Sequence, residues 1–185
     1  MTNWSCASTG GLRCCAVPVN WRELKGNTGG TDGGGMREIT CNDGLVYAFD
    51  PAATALLVID MQRDFLDPRG MCAEEGEDLT QMRTLIPRIG RLLAAARGAG
   101  LAIFHTREGY APDLSDVSPL KRSRSSVGTS GPLGRFLIRG EAGHDFVAEL
   151  KPHPGETVID KPGFGAFYRT DLEQRLRASG ITHLV

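Results

Sequence analysis

The stretch Thr54-Ala55-Leu56-Leu57-Val58-Ile59-Asp60-Met61-Gln62-Arg63-Asp64-Phe65 constrains the fold more than any other part of the chain. A solid apolar run ends abruptly in a carboxylate, and polar residues and a Phe follow at once. A run of about 4–8 apolar residues fits a strand buried on both faces. Such strands belong to parallel sheets covered by helices on either side. Asp60 then stands where the strand leaves the sheet, and open α/β sheets place their functional crevice outside the carboxyl ends of the strands. Asp60 is therefore the first candidate for chemistry. A turn-capping role accounts for an aspartate after a strand equally well.

The pattern continues as a βαβ unit. Leu79, Met82, Leu85, Ile86, Ile89, Leu92, Leu93 and Ala96 recur at three- and four-residue steps and predict one helix face. Asp78 and Thr80 are the candidate caps at its start, and Gly98 and Gly100 end it. Pro87 belongs in a first turn or at a kink. Leu101-Ala102-Ile103-Phe104 is a second short strand, closing on His105-Thr106-Arg107-Glu108. Residues 107–155 hold five prolines among serines and glycines and predict irregular structure, with a short helix in 143–150. The basic run Lys121-Arg122-Ser123-Arg124 reads as a solvated loop. Thr157-Val158-Ile159 is a third strand that closes on Asp160-Lys161. Thr170-Asp171-Leu172-Glu173 has the form of a capping box, Gly180 supplies a left-handed stop, and Ile181–Val185 opens a fourth strand. A buried strand left half-built predicts that residues follow Val185.

Residues 1–46 differ from the rest. Gly26, Gly29, Gly30, Gly33, Gly34 and Gly35 crowd a polar segment and predict a flexible linker or tail. Met36-Arg37-Glu38 follows the glycines where a phosphate loop needs Gly-Lys-Ser/Thr. The net charge of −1 carries no nucleic-acid or anionic-membrane footprint. No apolar run reaches transmembrane length, and the N-terminus has no secretory pattern. The 5 cysteines are scattered without metal-finger spacing, which fits reduced thiols in the cytoplasm.

Three strand ends thus carry polar residues: Asp60, the 105–108 segment and Lys161. A parallel sheet brings these ends to one edge. An ammonium facing Asp60 would keep the carboxylate ionised and available as a base. No nucleophile completes the set, and Lys161 taken alone reads better as a surface lysine in a βα loop.

The landmarks Val58-Ile59-Asp60-Met61-Gln62-Arg63-Asp64-Phe65, His105-Thr106-Arg107-Glu108-Gly109, Asp160-Lys161-Pro162-Gly163-Phe164-Gly165-Ala166-Phe167, Thr170-Asp171-Leu172 and Gly180–Val185 together resemble the isochorismatase-like cysteine hydrolases, from about Tyr47 to Val185. Residues 107–116 and 139–145 look most like the ureide-cleaving branch, biuret amidohydrolase in particular. The resemblance implies a three-layer α-β-α, Rossmann-like, mostly parallel sheet whose C-terminal part is missing. It implies an Asp-Lys-Cys triad, with Asp60 as the aspartate and Lys161 as the lysine. The family cysteine and the oxyanion donors would fall beyond Val185, and Cys72 does not match the motif. Phe65 and Arg107 stand where pocket walls belong, Phe65 over a flat substrate and Arg107 on its carbonyl or carboxylate. A core phenylalanine and a surface ion pair are the structural alternatives, and Tyr168 is a lesser candidate. Relatives with catalytic zinc carry histidines after the first strand, and Met61–Cys72 has none, so no cofactor is expected.

Three functions follow. One is hydrolysis of a C–N bond in a small amide or ureide such as biuret. Another is cleavage of an isochorismate-type vinyl ether or another small amide. The third is an inactive fragment with at most a subunit-binding role. Partners are expected to be a small-molecule substrate and, at full length, further copies of the same chain, with no nucleic acid and no membrane.

Overall fold

A computed structural model describes residues 13–14, 35–40 and 44–185. The strands are β1 (Arg13–Cys14), β2 (Arg37–Thr40), β3 (Val46–Phe49), β4 (Thr54–Ile59), β5 (Ala102–Glu108), β6 (Ser130–Gly131), β7 (Gly134–Arg135), β8 (Thr157–Lys161) and β9 (His183–Leu184). The helices are α1 (Arg63–Leu66), α2 (Met71–Glu74), α3 (Thr80–Arg83), α4 (Leu85–Ala99), α5 (Pro119–Arg124) and α6 (Leu172–Ala178). The central sheet has the order β1-β9-β4-β5-β8, and every pairing in it is parallel. β2 and β3 form a separate antiparallel hairpin. Most of the predicted glycine-rich tail lies outside the described residues, as do Cys6, Cys15 and Cys41.

The expected α/β architecture is present, with the first core strand central and the last one beside it. Period-two alternation divides the sheet into two faces. Leu56, Val58 and Ile103 pack on one face against Leu93, Ala96 and Ala99 of α4. Ala55, Phe104 and Ile159 pack on the other against Leu172 and Leu176 of α6. β9 is short, and the ladder runs on past it: Leu57 N donates to Val185 O at 2.9 Å and Val185 N donates to Ala55 O at 3.0 Å. Val185 is 41% exposed, but β9 itself is not an open edge: β1 pairs with it on one side and β4 on the other. Among the described residues no helix is long and apolar enough to cross a membrane.

Local chemistry departs from the expected pattern at four points. The single helix over 79–96 is two helices, α3 and α4, because Pro87 lacks an N–H and its ring would clash with the Arg83 carbonyl. Pro87 is therefore tolerated only in the first turn of α4, and Asp78 Oδ1 instead caps α3 by accepting from Thr80 N at 2.9 Å. Gly98 continues α4, and Gly100, at φ 76, ends it. The expected helix in 143–150 contracts to a 3-10 turn, Ala148–Leu150, although Phe146, Val147 and Leu150 do point inward. The capping box at 170–173 does not close. The Thr170 hydroxyl donates to Ala166 O at 2.6 Å, and Glu173 pairs with Arg177 at 2.7 Å.

Leu93 is 1% exposed at the centre of the α4 face. Leu93→Ala is expected to cost about 2–5 kcal/mol of stability by leaving a cavity, read as a lower urea midpoint at unchanged slope.

Candidate active site

The carboxyl edge of the sheet gathers the polar strand ends. β4 stops at Ile59 because Asp60 turns into the left-handed region at φ 53, unusual for a residue with a side chain. Asp60 N still donates to Thr106 O on β5 at 3.1 Å, and Asp60 O accepts from Gln62 N at 2.8 Å, so the turn is held from both sides. That turn aims the carboxylate across β5. Its Oδ1 accepts from the Thr106 hydroxyl at 2.7 Å. Its Oδ2 meets Lys161 Nζ, from the end of β8, at 2.6 Å. Asp60 and Lys161 thus come from strands separated by β5 and join above it.

Lys161 is 0% exposed, while the Asp60 side chain keeps 18% of its surface open. The ammonium also donates to Gly163 O at 2.7 Å and Phe164 O at 3.2 Å. Glu108, opposite Lys161 in the β5–β8 register, places Oε2 3.9 Å from Nζ. Beside the 163–164 carbonyls lies a cavity of about 800 Å³, bounded by Tyr110, Lys121, Arg124, Phe164 and Tyr168. The basic run at 121–124 is therefore not wholly solvated. Lys121 Nζ pairs with Glu108 Oε1 at 2.8 Å and lies 4.1 Å from the Phe164 ring centroid.

Strand parity separates the other candidates. Thr106 and Glu108 share a face with Phe104, the α6 side. His105 and Arg107 share the α4 side with Ile103. Arg107 is bonded to Asp160 at 2.7 and 3.1 Å and lies 5.3 Å from the Phe146 ring centroid. The structure thus does not bring Arg107 to the Asp60–Lys161 pair. Phe65 packs between two core clusters, the one that holds Leu66 and Val147 and the one that holds Met71 and Tyr110. Neither residue lines the cavity, whereas Tyr168 does.

The residues after Asp60 anchor the site. Gln62 is 0% exposed. Its Nε2 donates to Glu108 O at 2.9 Å and His144 O at 3.0 Å, and its Oε1 accepts from Glu108 N at 2.7 Å. Asp64 Oδ2 accepts from Leu137 N at 2.7 Å, although burial pushes its carboxyl upward. A Cβ on Gly143 would strike the Asp64 carboxylate, so only glycine fits there. Cys72 is not poised as a nucleophile. It is buried with Met71, Leu79 and Tyr110, and burial with the nearby Glu77 carboxylate pushes its thiol up to about 12.

Asp60 and Lys161 thus form a carboxylate–ammonium pair at the carboxyl edge of a parallel α/β sheet. Residues 54–185 match the family model of the Isochorismatase domain. The chain belongs to the isochorismatase family of hydrolases. A cysteine hydrolase from Pseudomonas syringae pv. phaseolicola 1448A is 26% identical, with 74% of this chain and 59% of that chain covered and a TM-score of 0.63. An isochorismatase family protein from Desulfovibrio vulgaris subsp. vulgaris str. Hildenborough is 32% identical, with 71% and 64% covered and a TM-score of 0.57. An N-carbamoylsarcosine amidase from Thermoplasma acidophilum, 23% identical, with 71% and 64% covered and a TM-score of 0.54, shares the fold. The chain spans roughly six tenths of the length of these proteins.

Acid should test the burial of His144. Its side chain is 3% exposed, and burial, with Arg107 nearby, pushes the imidazole down to about 4 against the partial pull of Asp160. The unfolded chain, near 6.5, takes up the proton first. Stability is therefore complete above about pH 6.5 and is lost as pH falls toward 4, by up to roughly 3 kcal/mol. His144→Gln is expected to remove most of that loss in urea unfolding at pH 7 against pH 4.5. A smaller slope remains from His105, which burial also lowers. An equal acid loss in the variant contradicts the assignment.

Proposed function

We propose that this chain carries the acid–base half of a cysteine hydrolase that cleaves a C–N bond of a small amide or ureide such as biuret. The nucleophilic cysteine and the oxyanion donors would be supplied by residues that follow Val185 in a longer polypeptide. The observation that carries this reading is the 2.6 Å Lys161–Asp60 contact, with Thr106 on the second carboxylate oxygen. Lys161 and Thr106 fix the carboxylate in one orientation. Asp60 takes the thiol proton, and the thiolate attacks the carbonyl carbon. The tetrahedral adduct collapses, and ammonia or an amine leaves with the proton from Asp60. Water, deprotonated by the same carboxylate, then hydrolyses the thioester and frees the thiol. Lys161 orients Asp60 throughout and offsets developing negative charge.

The amide reading is supported by the scaffold shared with an amidase and by the two segments that resemble the ureide branch. Those segments are joined: Arg139 donates to Gly109 O at 2.8 Å and to Asp116 at 2.7 Å. The same reading carries a cytoplasmic setting and self-assembly of the longer polypeptide. Taken alone, residues 1–185 would lack turnover.

The test is a pair of parallel assays on the polypeptide extended past Val185. Ammonia release from biuret is expected, and pyruvate release from isochorismate is not; the reverse result favours the vinyl ether reading. Asp60→Asn and Lys161→Met are each expected to lower kcat by about 10³-fold or more. Turnover unaffected by both variants removes the pair from the mechanism.

A further inference from the structure

Lys161 is a buried ammonium whose three N–H groups are all engaged, by Asp60, Gly163 O and Phe164 O. Only the first partner carries a full charge. In the mechanism above, that charge disappears whenever Asp60 holds the proton. A buried ammonium facing only carbonyl oxygens is costly. One further carboxylate is within ion-pairing distance, Glu108 at 3.9 Å.

We propose that Glu108 is a positioning residue for Lys161, holding the ammonium in place and charged through the steps in which Asp60 carries the proton. The proposal rests on the acid–base role given to Asp60 above. Glu108 is 3% exposed and fixed at both ends. Its backbone N–H and C=O are both tied to Gln62, and its Oε1 accepts from Tyr110 Oη at 2.9 Å and from Lys121 Nζ at 2.8 Å. Lys121 supplies this second carboxylate with an ion-pair partner of its own. The charges therefore alternate along Asp60, Lys161, Glu108 and Lys121, at 2.6, 3.9 and 2.8 Å. Lys121 also lies against the ring of Phe164, whose carbonyl holds Lys161. The chain of charges closes on itself through that residue.

Asp60→Asn imitates the proton-bearing state without any need for turnover. The 185-residue chain, labelled with 15N and 13C at lysine, is observed at neutral pH. In Asp60→Asn the Lys161 ammonium signal and its charged-form 13Cε shift are expected to persist. In Asp60→Asn/Glu108→Gln both are expected to be lost. Asp60→Asn/Glu108→Asp, which keeps the charge, is expected to restore them. A charged-form signal that survives in Asp60→Asn/Glu108→Gln overturns the proposal. So does its loss in the Glu108→Asp variant with the amide spectrum intact, because that marks a packing role. Should the Gln double variant not fold, Glu108→Gln alone decides. Proton exchange from the Lys161 ammonium is expected to quicken about tenfold when one neighbouring charge is removed, and an unchanged rate overturns the proposal. Since none of these measurements needs a substrate, they stand or fall apart from ureide hydrolysis.

Discussion

A lysine without solvent contact must be held by acceptors on every side, and the carboxyl edge of this sheet is arranged around that requirement. Lys161 draws Asp60 across β5, bends the 162–164 segment back so that two carbonyls reach the ammonium, and keeps Glu108 within range. Asp60 is the nearest carboxylate to that ammonium and Glu108 the next, at 2.6 and 3.9 Å. The left-handed turn at Asp60 follows from the same need, since a strand continuing straight past Ile59 would carry the carboxylate away. Strain at this position is thus held by the ion pair and by Thr106, and it lies where the chemistry is proposed.

Behind the pair stands a further layer of buried hydrogen bonds. Gln62 uses its whole amide to join the end of β4, the end of β5 and the loop at His144. Asp64 continues the join to Leu137, and Arg63 N and Asp64 N donate to Asp145 O and Gly143 O. The long irregular region after β5 is therefore tied to the first core strand by buried hydrogen bonds. On the opposite face of the sheet, Glu156 gathers Arg97, His105 and the His153 N–H. Burial opposes its ionisation, but these donors pull its carboxyl down to about 2. That face of the edge is committed to structure, and the Asp60–Lys161 pair lies on the other.

Much of this was legible in the residues. The apolar runs that end in Asp60 and Lys161 mark two strands whose ends meet at one edge, although β8, at the margin of the sheet, is buried on one face only. The βαβ spacing implies parallel pairing, whereas the order of the strands is implied only by the family resemblance. Legibility failed where the determinant was distant or competitive. Gln62 looks like any polar residue after a strand, and its partners are 46 and 82 positions away. Lys121 sits in a basic run whose neighbours are exposed, and only the fold delivers Glu108 to it. The capping box failed because Thr170 and Glu173 are each engaged by another partner, Ala166 O and Arg177. Arg107 was separable in principle: once β5 is extended to residue 108, alternation puts Glu108 with Phe104 and sends Arg107 to the other face.

The central claim is that Asp60, oriented by Lys161, activates a thiol that lies after Val185. Rapid acid quenching during turnover, followed by peptide mass analysis of the extended polypeptide, tests it most directly. The account predicts an acyl group on a cysteine beyond Val185, absent when Asp60 is replaced by Asn. An acyl group on Cys72, or one that forms as fast without the Asp60 carboxylate, would contradict it.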